Sequence, residues 1–191
     1  MPLVGESRFD PHAWNPRLET PRLTLEPLTK EHAKVLQAAL SDPRIYQFIP
    51  QEPSVSLERL SERYARLETR SSEDGAEAWL NWAIQYPSAY LGRIEASVQL
   101  EFGTASIAYL LSPAYWGQGF ALESVKALLN HLERQGVVEV SAWVDTRNAA
   151  SMKLLERLGF VRGEFFPAAD HFKGHSSDEW VYTLELPGFS S

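Results

Sequence analysis

Two glycines lie close together in the stretch SPAYWGQGFALES, residues 112–124, between a proline-ended strand and an amphipathic helix. Gly117 and Gly119 have no Cβ atom, so an anion can approach the main chain there without a clash. The first N–H groups of the helix that follows have no partner within the helix, and they lie at the positive end of its dipole. The stretch therefore predicts an anion site, in which a diphosphate contacts the N–H groups of residues 117–122.

Other phosphate-binding motifs fit this stretch poorly. The sequence contains no Gly-Lys-Ser/Thr of a P-loop, and Leu122 stands where a third glycine would complete Gly-x-Gly-x-x-Gly. The two glycines could also serve only a tight turn. A second motif is needed to decide between these alternatives.

The second motif is VDTRNAASMKLLERLGF, residues 144–160. Asn148 follows a predicted strand directly, and Ser151 comes three residues later, at the start of the next helix. Taken alone, Asn148 is typical of a residue that caps a helix N-terminus.

Together, and at this spacing, the two motifs resemble the Gcn5-related N-acetyltransferases, and within them the branch of the ribosomal-protein N-terminal acetyltransferases. TPRLTLEPLTKEHA (20–33) is similar to the first strand and helix of that branch, and DPRIYQFIP (42–50) to the loop that follows. SSDEWVYTLEL (176–186) is similar to its closing strand. The resemblance spans about residues 20 to 186.

The resemblance implies that acetyl-CoA binds where strands 104–111 and 137–144 splay apart. The pantetheine arm would contact the first strand near its end, the pyrophosphate would lie on the glycine loop, and Asn148 and Ser151 would lie beside the pantetheine and the thiol. The substrate amine would attack the acetyl carbonyl directly, without an acyl-enzyme. The residues assigned to the cofactor in this way are Leu110, Leu111, Trp116, Gly117, Gln118, Gly119, Phe120, Ala121, Leu122, Asn148 and Ser151.

The chain departs from the family pattern at the residues that move protons. Many relatives carry a glutamate on the strand before the loop, but residues 104–106 of this chain include no carboxylate. Many relatives also carry a tyrosine on the last helix, and the matching residue here is Leu155. Ser151 is then a candidate to protonate the departing thiolate, or simply a first-turn serine whose hydroxyl forms a hydrogen bond within its own helix. Glu95 and Glu101, six residues apart on one predicted strand, should share a face. Either could act as a base through water, or both could belong to a solvated strand face.

The missing base bears on the choice of acceptor. At pH 7 a lysine amine, with a pKa of about 10.4, costs about 4.6 kcal/mol to deprotonate, whereas an α-amine, with a pKa of about 8, costs about 1.4 kcal/mol. The sequence therefore favours an N-acetyltransferase that acts on a protein or peptide N-terminus. The alternatives are a small amine, such as a polyamine or an aminoglycoside-like compound, and a CoA-binding module without catalysis.

The elements that would position these residues predict an α+β fold. We expect a single domain, over residues 18–191, with a mixed, mostly antiparallel central sheet, splayed strands and helices on both faces, preceded by an N-terminal arm over residues 1–17. Apolar residues at helical spacing, among them Leu57, Leu60 and Tyr64, predict a helix after a Ser cap. Further helices are predicted at 30–41, after the glycine loop and at 148–160, and strands at 22–28, 78–86, 89–102, 104–111, 137–144 and 179–186.

Charge and composition exclude several function classes. The chain has 18 Lys and Arg residues against 25 Asp and Glu residues, a formal net charge of −7 at pH 7. This sign disfavours binding to the phosphate backbone of nucleic acids and suits a cationic acceptor. The absence of cysteine excludes disulfides, thiolate metal sites and a cysteine nucleophile. Because no stretch has the hydropathy of a signal peptide or membrane span, we expect a cytoplasmic protein that binds no membrane.

The remaining histidines and aromatic residues have simpler interpretations. His171 and His175 are spaced for a metal only if their segment is helical, but Gly174 predicts a mobile loop on the substrate side, so no metal is expected. Exposed aromatic side chains at Phe165, Phe166 and Phe172 would permit a homodimer. The tryptophans that fall in predicted strands, and are therefore expected in the core, are Trp79, Trp82 and Trp143.

Overall fold

One continuous sheet forms the centre of the computed structural model, which describes residues 10–54 and 56–187. Its strands are Leu18–Glu19 (β1), Thr24–Pro27 (β2), Glu77–Tyr86 (β3), Ala89–Gln99 (β4), Thr104–Leu111 (β5), Glu139–Asp145 (β6), Val161–Phe172 (β7) and His175–Glu185 (β8). They lie in the order β1-β2-β3-β4-β5-β6-β8-β7. All neighbours are antiparallel except β5 and β6, which are parallel. The mostly antiparallel sheet confirms the predicted fold class.

The helices begin and end where their caps predict. Ser56 accepts a hydrogen bond from the Arg59 N–H at 3.2 Å at the start of α3, and Gly136, with a φ of 85°, follows the end of α4. The predicted helix 30–41 begins as a short 3-10 turn before α2. No helix in the described part is long and apolar enough to cross a membrane. The α-helices are Pro11–Trp14 (α1), Ala33–Ala39 (α2), Leu57–Leu67 (α3), Phe120–Arg134 (α4) and Ala149–Arg157 (α5).

The two faces of the sheet are covered by different helices. Strand alternation sends Leu80, Trp82 and Ile84 into a large core that α4 and α5 complete, and sends Ala83 into a second core beneath α2 and α3. Trp82 is fully buried, as expected, but Trp143 is 52 % exposed. The prediction for Trp143 was wrong because strand alternation sends Val140, Ala142 and Val144 of β6 into the core and leaves Trp143 on the opposite face.

The parallel strands β5 and β6 stay together over only part of their length. They pair at Thr104–Ser106 against Glu139–Ser141, and no pairing follows beyond those residues. The edge of residues 107–111 that faces β6 therefore keeps backbone groups available to another partner. This is the splayed geometry expected from the sequence.

The segment before β8 corrects one prediction. The expected mobile loop around 165–178 is instead a long hairpin of β7 and β8, in which His171 pairs with Ser176. Lys173 and Gly174 both have positive φ, 53° and 76°, as a two-residue hairpin turn requires. His171 and His175 are solvent-exposed as predicted, whereas Phe172 is buried.

Residues 10–17 of the predicted N-terminal arm pack against the domain. The Asn15 carboxamide is buried, and its oxygen accepts a hydrogen bond from Arg70 at 3.1 Å. The Trp82 indole donates to the Pro16 carbonyl at 2.7 Å. Residues 1–9 of the same arm lie outside the described residues.

Candidate active site

A cleft of about 470 Å³ opens where β5 and β6 diverge, between the N-termini of α4 and α5. All residues that the sequence assigned to the cofactor line it except Gln118, whose side chain instead donates to the Ala114 carbonyl at 2.9 Å. Further lining residues, which sequence reasoning did not single out, include Arg44, Ile45, Gln47, Phe48, Tyr109, Tyr115, Ala150, Lys153, Leu154 and Arg157.

The glycine loop forms the mouth of this cleft. Gly117 and Gly119 have φ values of 71° and 81°, which side-chain-bearing residues rarely adopt, and Gly119 is the residue before the first turn of α4. Within residues 10–54 and 56–187, no protein acceptor binds the N–H groups of residues 117–122. An anion at this helix N-terminus would therefore meet a row of free donors without displacing any existing hydrogen bond.

An arginine from the start of the chain braces this loop. The Arg22 guanidinium binds Glu123 in the first turn of α4, with Nε 2.7 Å from Oε2, and donates to the Gln118 carbonyl at 3.1 Å. It also lies 4.4 Å from the centre of the Phe120 ring. Burial pushes the pKa of Glu123 upward, but hydrogen bonds from Thr20 and Arg22 outweigh burial and leave that pKa below its ordinary value. Glu123 is therefore an anion that holds Arg22 against the loop.

The second motif positions a serine and a tyrosine inside the cleft. The Asn148 carboxamide oxygen accepts the Ser151 N–H at 3.1 Å, so Asn148 caps α5 and fixes its first turn. The Ser151 hydroxyl lies 2.7 Å from the hydroxyl of Tyr109 on β5, and either can donate. Burial raises the pKa of Tyr109, and the hydrogen bond from Ser151 offsets this only in part. Tyr109 is thus a neutral, polar group beside Ser151 that the sequence did not reveal.

Neither glutamate considered as a base lines the cleft. Glu95 lies on the face of β4 that packs toward α3 and accepts a hydrogen bond from Arg93. Glu101 is not on β4 at all, because the strand ends at Gln99, and the Gly103 N–H bonds back to Gln99 in a turn. The prediction that the two carboxylates share a strand face was therefore wrong. Glu101 lies beyond the opposite end of β5 from Leu111, and the strand between them is about 23 Å long at roughly 3.3 Å per residue.

A protein-family model described as an acetyltransferase (GNAT) domain matches residues 22–161 of the chain. The chain belongs to the GNAT acetyltransferase family. It is an acyl-CoA-dependent N-acetyltransferase that uses acetyl-CoA, as the sequence predicted.

Similar proteins extend this likeness over almost the whole chain. An uncharacterized N-acetyltransferase p20 of Bacillus licheniformis is 27 % identical over 169 residues, which cover 87 % of this chain and 94 % of that protein. A RimL ribosomal L7/L12 alpha-N-protein acetyltransferase in complex with coenzyme A has a similar fold, with a TM-score of 0.82 at 19 % identity, covering 91 % of this chain and all of the other. The spermidine N-acetyltransferase from Vibrio cholerae, in complex with CoA and spermine, gives a TM-score of 0.74 at 19 % identity, over 87 % and 97 % of the two chains.

The residues present in this acetyltransferase fit acetyl-CoA. The free N–H groups of the glycine loop suit a pyrophosphate, and the edge of residues 107–110, which does not pair with β6, suits the amides of a pantetheine arm. The Leu111 carbonyl at the end of this edge already accepts the Trp116 indole N–H at 2.8 Å. Among the described residues, the cleft lining contains Arg44, Lys153 and Arg157 but no Asp or Glu, so its charge complements a polyanionic cosubstrate. Among the described residues, no group of His, Cys, Asp and Glu could hold a metal ion.

The Arg22 brace predicts a measurable effect on this acetyltransferase. We expect Arg22→Met to weaken CoA binding about tenfold, because the loop loses a charged hydrogen bond to Gln118 and the ion pair that holds α4 in place. The measurement is the Kd of CoA by calorimetry. Arg17→Met is the matched control, because it removes an exposed arginine that is ion-paired to Glu19, remote from the loop. Equal changes in the two variants would show that Arg22 has no specific role.

Proposed function

We propose that this acetyltransferase acts on the α-amine of a protein or peptide N-terminus. The observation that carries the proposal is the composition of the cleft lining, in which the described residues include no carboxylate. Without a carboxylate in that lining, an acceptor whose amine costs less to deprotonate near neutral pH has an advantage. At pH 7 an α-amine has that advantage over a lysine amine by about 3.2 kcal/mol, the difference between their deprotonation costs.

An uncovered strand face beside the splay supports a peptide acceptor. Helices α2 and α3 cover the sheet over β2 to β4, but Ser106 and Ala108 of β5 and Trp143 of β6 are exposed on the same face. Trp143 stacks against Phe166 of the hairpin, with ring centres 4.9 Å apart. A peptide has enough length to lie across this surface while its N-terminal amine reaches the splay, which a small amine has no need to do.

The reaction is a direct transfer. The amine nitrogen bonds to the acetyl carbonyl carbon, the bond from that carbon to sulfur breaks, and the amine proton leaves to water. We assign Ser151 to donate a proton to the departing thiolate, and Tyr109 to donate in turn to the Ser151 oxygen across their 2.7 Å hydrogen bond. Water returns a proton to Tyr109 before the next turnover, which balances the proton that the amine released to water. The buried, neutral state of Tyr109 keeps its proton available for this role.

The test is thiol release from acetyl-CoA, which a thiol reagent detects without background because the protein has no cysteine. The acceptors are a peptide with a free N-terminus and no lysine, the same peptide with a blocked N-terminus and one lysine, and spermidine. At pH 7 we expect kcat/KM for the α-amine peptide to exceed that for the lysine peptide about 200-fold. At pH 9.5 the advantage should shrink to about tenfold, because lysine then also loses its proton.

The pH dependence is the decisive part of this test. A constant preference at both pH values would mean that the site recognises the peptide N-terminus by contacts and not by the ionisation of its amine. Faster turnover of lysine or spermidine at pH 7 would contradict the proposal.

A further inference from the structure

A second, smaller cavity lies on the other side of Leu110 from the cleft. Leu110 of β5 lines both spaces, so the cavity and the cleft adjoin at this residue. The second cavity has a volume of about 40 Å³, enough for about three water-sized groups. Its polar lining includes Tyr46, Gln51, Arg63, Tyr64 and Arg93.

Two guanidinium groups face this cavity with little to neutralise them. Arg93 is only 5 % exposed, and in the described part of the chain its side chain binds only Glu95. Arg63 of α3 is half-buried and makes no hydrogen bond or ion pair to any described residue. A guanidinium has five N–H donors, so most of the donors of this pair lack a protein acceptor.

The surrounding charges leave a positive excess. Burial, followed by the charge of Arg93, lowers the pKa of Arg63 below its ordinary value, which is the effect of one cation on another in a partly dry site. Glu52 is the one carboxylate among the described residues that line the cavity, and it is ion-paired at 3.5 Å with Lys173 from the hairpin turn. Glu95 lies outside the lining, on Arg93. Glu95 is therefore the one carboxylate left for two arginines.

One wall of the cavity is the segment that connects α2 and α3. Tyr46 and Gln51 belong to this segment between α2 and α3, and the Lys173 ammonium holds it by donating to the carbonyls of Ile49, at 3.0 Å, and Gln51, at 3.1 Å. The Tyr46 hydroxyl donates a hydrogen bond to the Leu40 carbonyl at 2.9 Å. The wall opposite Arg63 of α3 and Arg93 of β4 is thus held in place by hydrogen bonds within the protein.

We propose that Arg63 and Arg93 bind a carboxylate of the acceptor, one side chain's width from the reacting amine. This inference rests on the proposed function, because it specifies a second group on the α-amine acceptor. A carboxylate has three heavy atoms, which matches the cavity, and its two oxygens match the paired N–H groups of a guanidinium. A phosphate or sulfate, with five heavy atoms, exceeds the available space. The carboxylate can be the side chain of an acidic residue at the peptide N-terminus or the α-carboxylate of a free amino acid.

The test compares matched acceptors on matched variants. Peptides that begin with Glu or with Gln separate the charge from the shape of the side chain. Free glutamine, which carries an α-carboxylate but no side-chain carboxylate, separates the two carboxylate sources. We expect wild-type enzyme to prefer the Glu-peptide in kcat/KM by about tenfold or more. Arg63→Met should abolish that preference, and Arg63→Lys should restore part of it. Arg66→Met, which removes an exposed arginine from the same helix, should leave it unchanged.

The outcomes separate this proposal from the one on which it rests. Turnover of both peptides without a preference for Glu contradicts the carboxylate site and leaves the α-amine acceptor supported. An equal loss with both peptides in Arg63→Met would assign Arg63 a purely structural role.

A binding measurement removes the dependence on turnover. Glutarate should raise the Tm of wild-type and Arg66→Met protein but not of Arg63→Met, and glutaramide should raise none of them. If glutarate has no effect on wild-type protein, the cavity is not a carboxylate site, whatever the enzyme acetylates.

Discussion

Gly119→Trp should raise the Kd of CoA at least about 100-fold, the largest effect on cosubstrate binding that we expect from a single substitution. The φ of 81° at this residue is strained for any side chain, at a cost of about 1–2 kcal/mol. A Cβ atom there would lie 3.4 Å from the Arg22 guanidinium, so the indole must displace either the brace or the bound pyrophosphate. Loss of two charged hydrogen bonds from the loop costs about 3 kcal/mol or more, which corresponds to an increase in Kd of at least about 100-fold.

Gly75→Trp is the matched control for backbone strain. Gly75 has a similar φ of 72° in a turn before β3, and a Cβ atom there meets nothing within 4 Å. It carries the same conformational cost without touching the cleft. Calorimetry with CoA, alongside a circular dichroism spectrum of each variant, distinguishes the two effects. If Gly119→Trp protein folds and binds CoA with wild-type affinity, the glycine loop does not contact the cosubstrate.

Ser151→Ala should lower kcat about 100-fold while leaving the Kd of CoA nearly unchanged. A positioned proton donor contributes about 10²–10⁴-fold to a reaction of this kind, and no other hydroxyl in the described part of the chain lies within hydrogen-bond distance of the Tyr109 hydroxyl. The substitution leaves the helix cap in place, because the Asn148 carboxamide accepts the backbone N–H of residue 151 and not its side chain. The measurement is single-turnover acetyl transfer with saturating acceptor.

Tyr109→Phe tests whether the two hydroxyls act as a pair. We expect a smaller loss of kcat than for Ser151→Ala, and a double variant no slower than Ser151→Ala alone, because Tyr109 acts through the serine. Ser124→Ala is the control: it also deletes a buried helix hydroxyl, hydrogen-bonded to the Phe120 carbonyl at 2.9 Å, but it lies outside the cleft lining. Multiplicative losses in the double variant would show that Tyr109 and Ser151 act independently.

The sequence predicted the cosubstrate side of the site because that side is encoded locally. Gly117 and Gly119 set the loop, the apolar repeat sets the helix behind it, and Asn148 sets the start of α5, each within a dozen residues of the chain. Strand alternation likewise predicted most of the sheet. Local conformation and helix caps depend on neighbouring residues, which can be identified without knowledge of the fold.

Errors arose where a regular pattern was extended beyond a turn. Glu95 and Glu101 share a face only if β4 continues to 102, but the turn that ends at Gly103, with a φ of 65°, stops the strand first. The hairpin of β7 and β8 was missed because its turn, Lys173 and Gly174, resembles an ordinary loop when no partner strand is known. Hydrogen bonds between strands decide such segments, and their partners lie elsewhere in the chain.

The sequence by itself determined the family and the sheet with its splayed strands, and it predicted a set of cosubstrate residues of which all but Gln118 line the cleft. The tertiary structure alone decided which distant side chains meet: Arg22 with Glu123, Tyr109 with Ser151, and Arg63 with Arg93 across the second cavity. Alternation along a strand tells which face a side chain takes, but not which residue lies opposite it. That choice follows from how helices and sheet pack together, and so the contact of Arg22 with the glycine loop, the paired hydroxyls of Tyr109 and Ser151, and the arginine cavity became visible only in the folded chain.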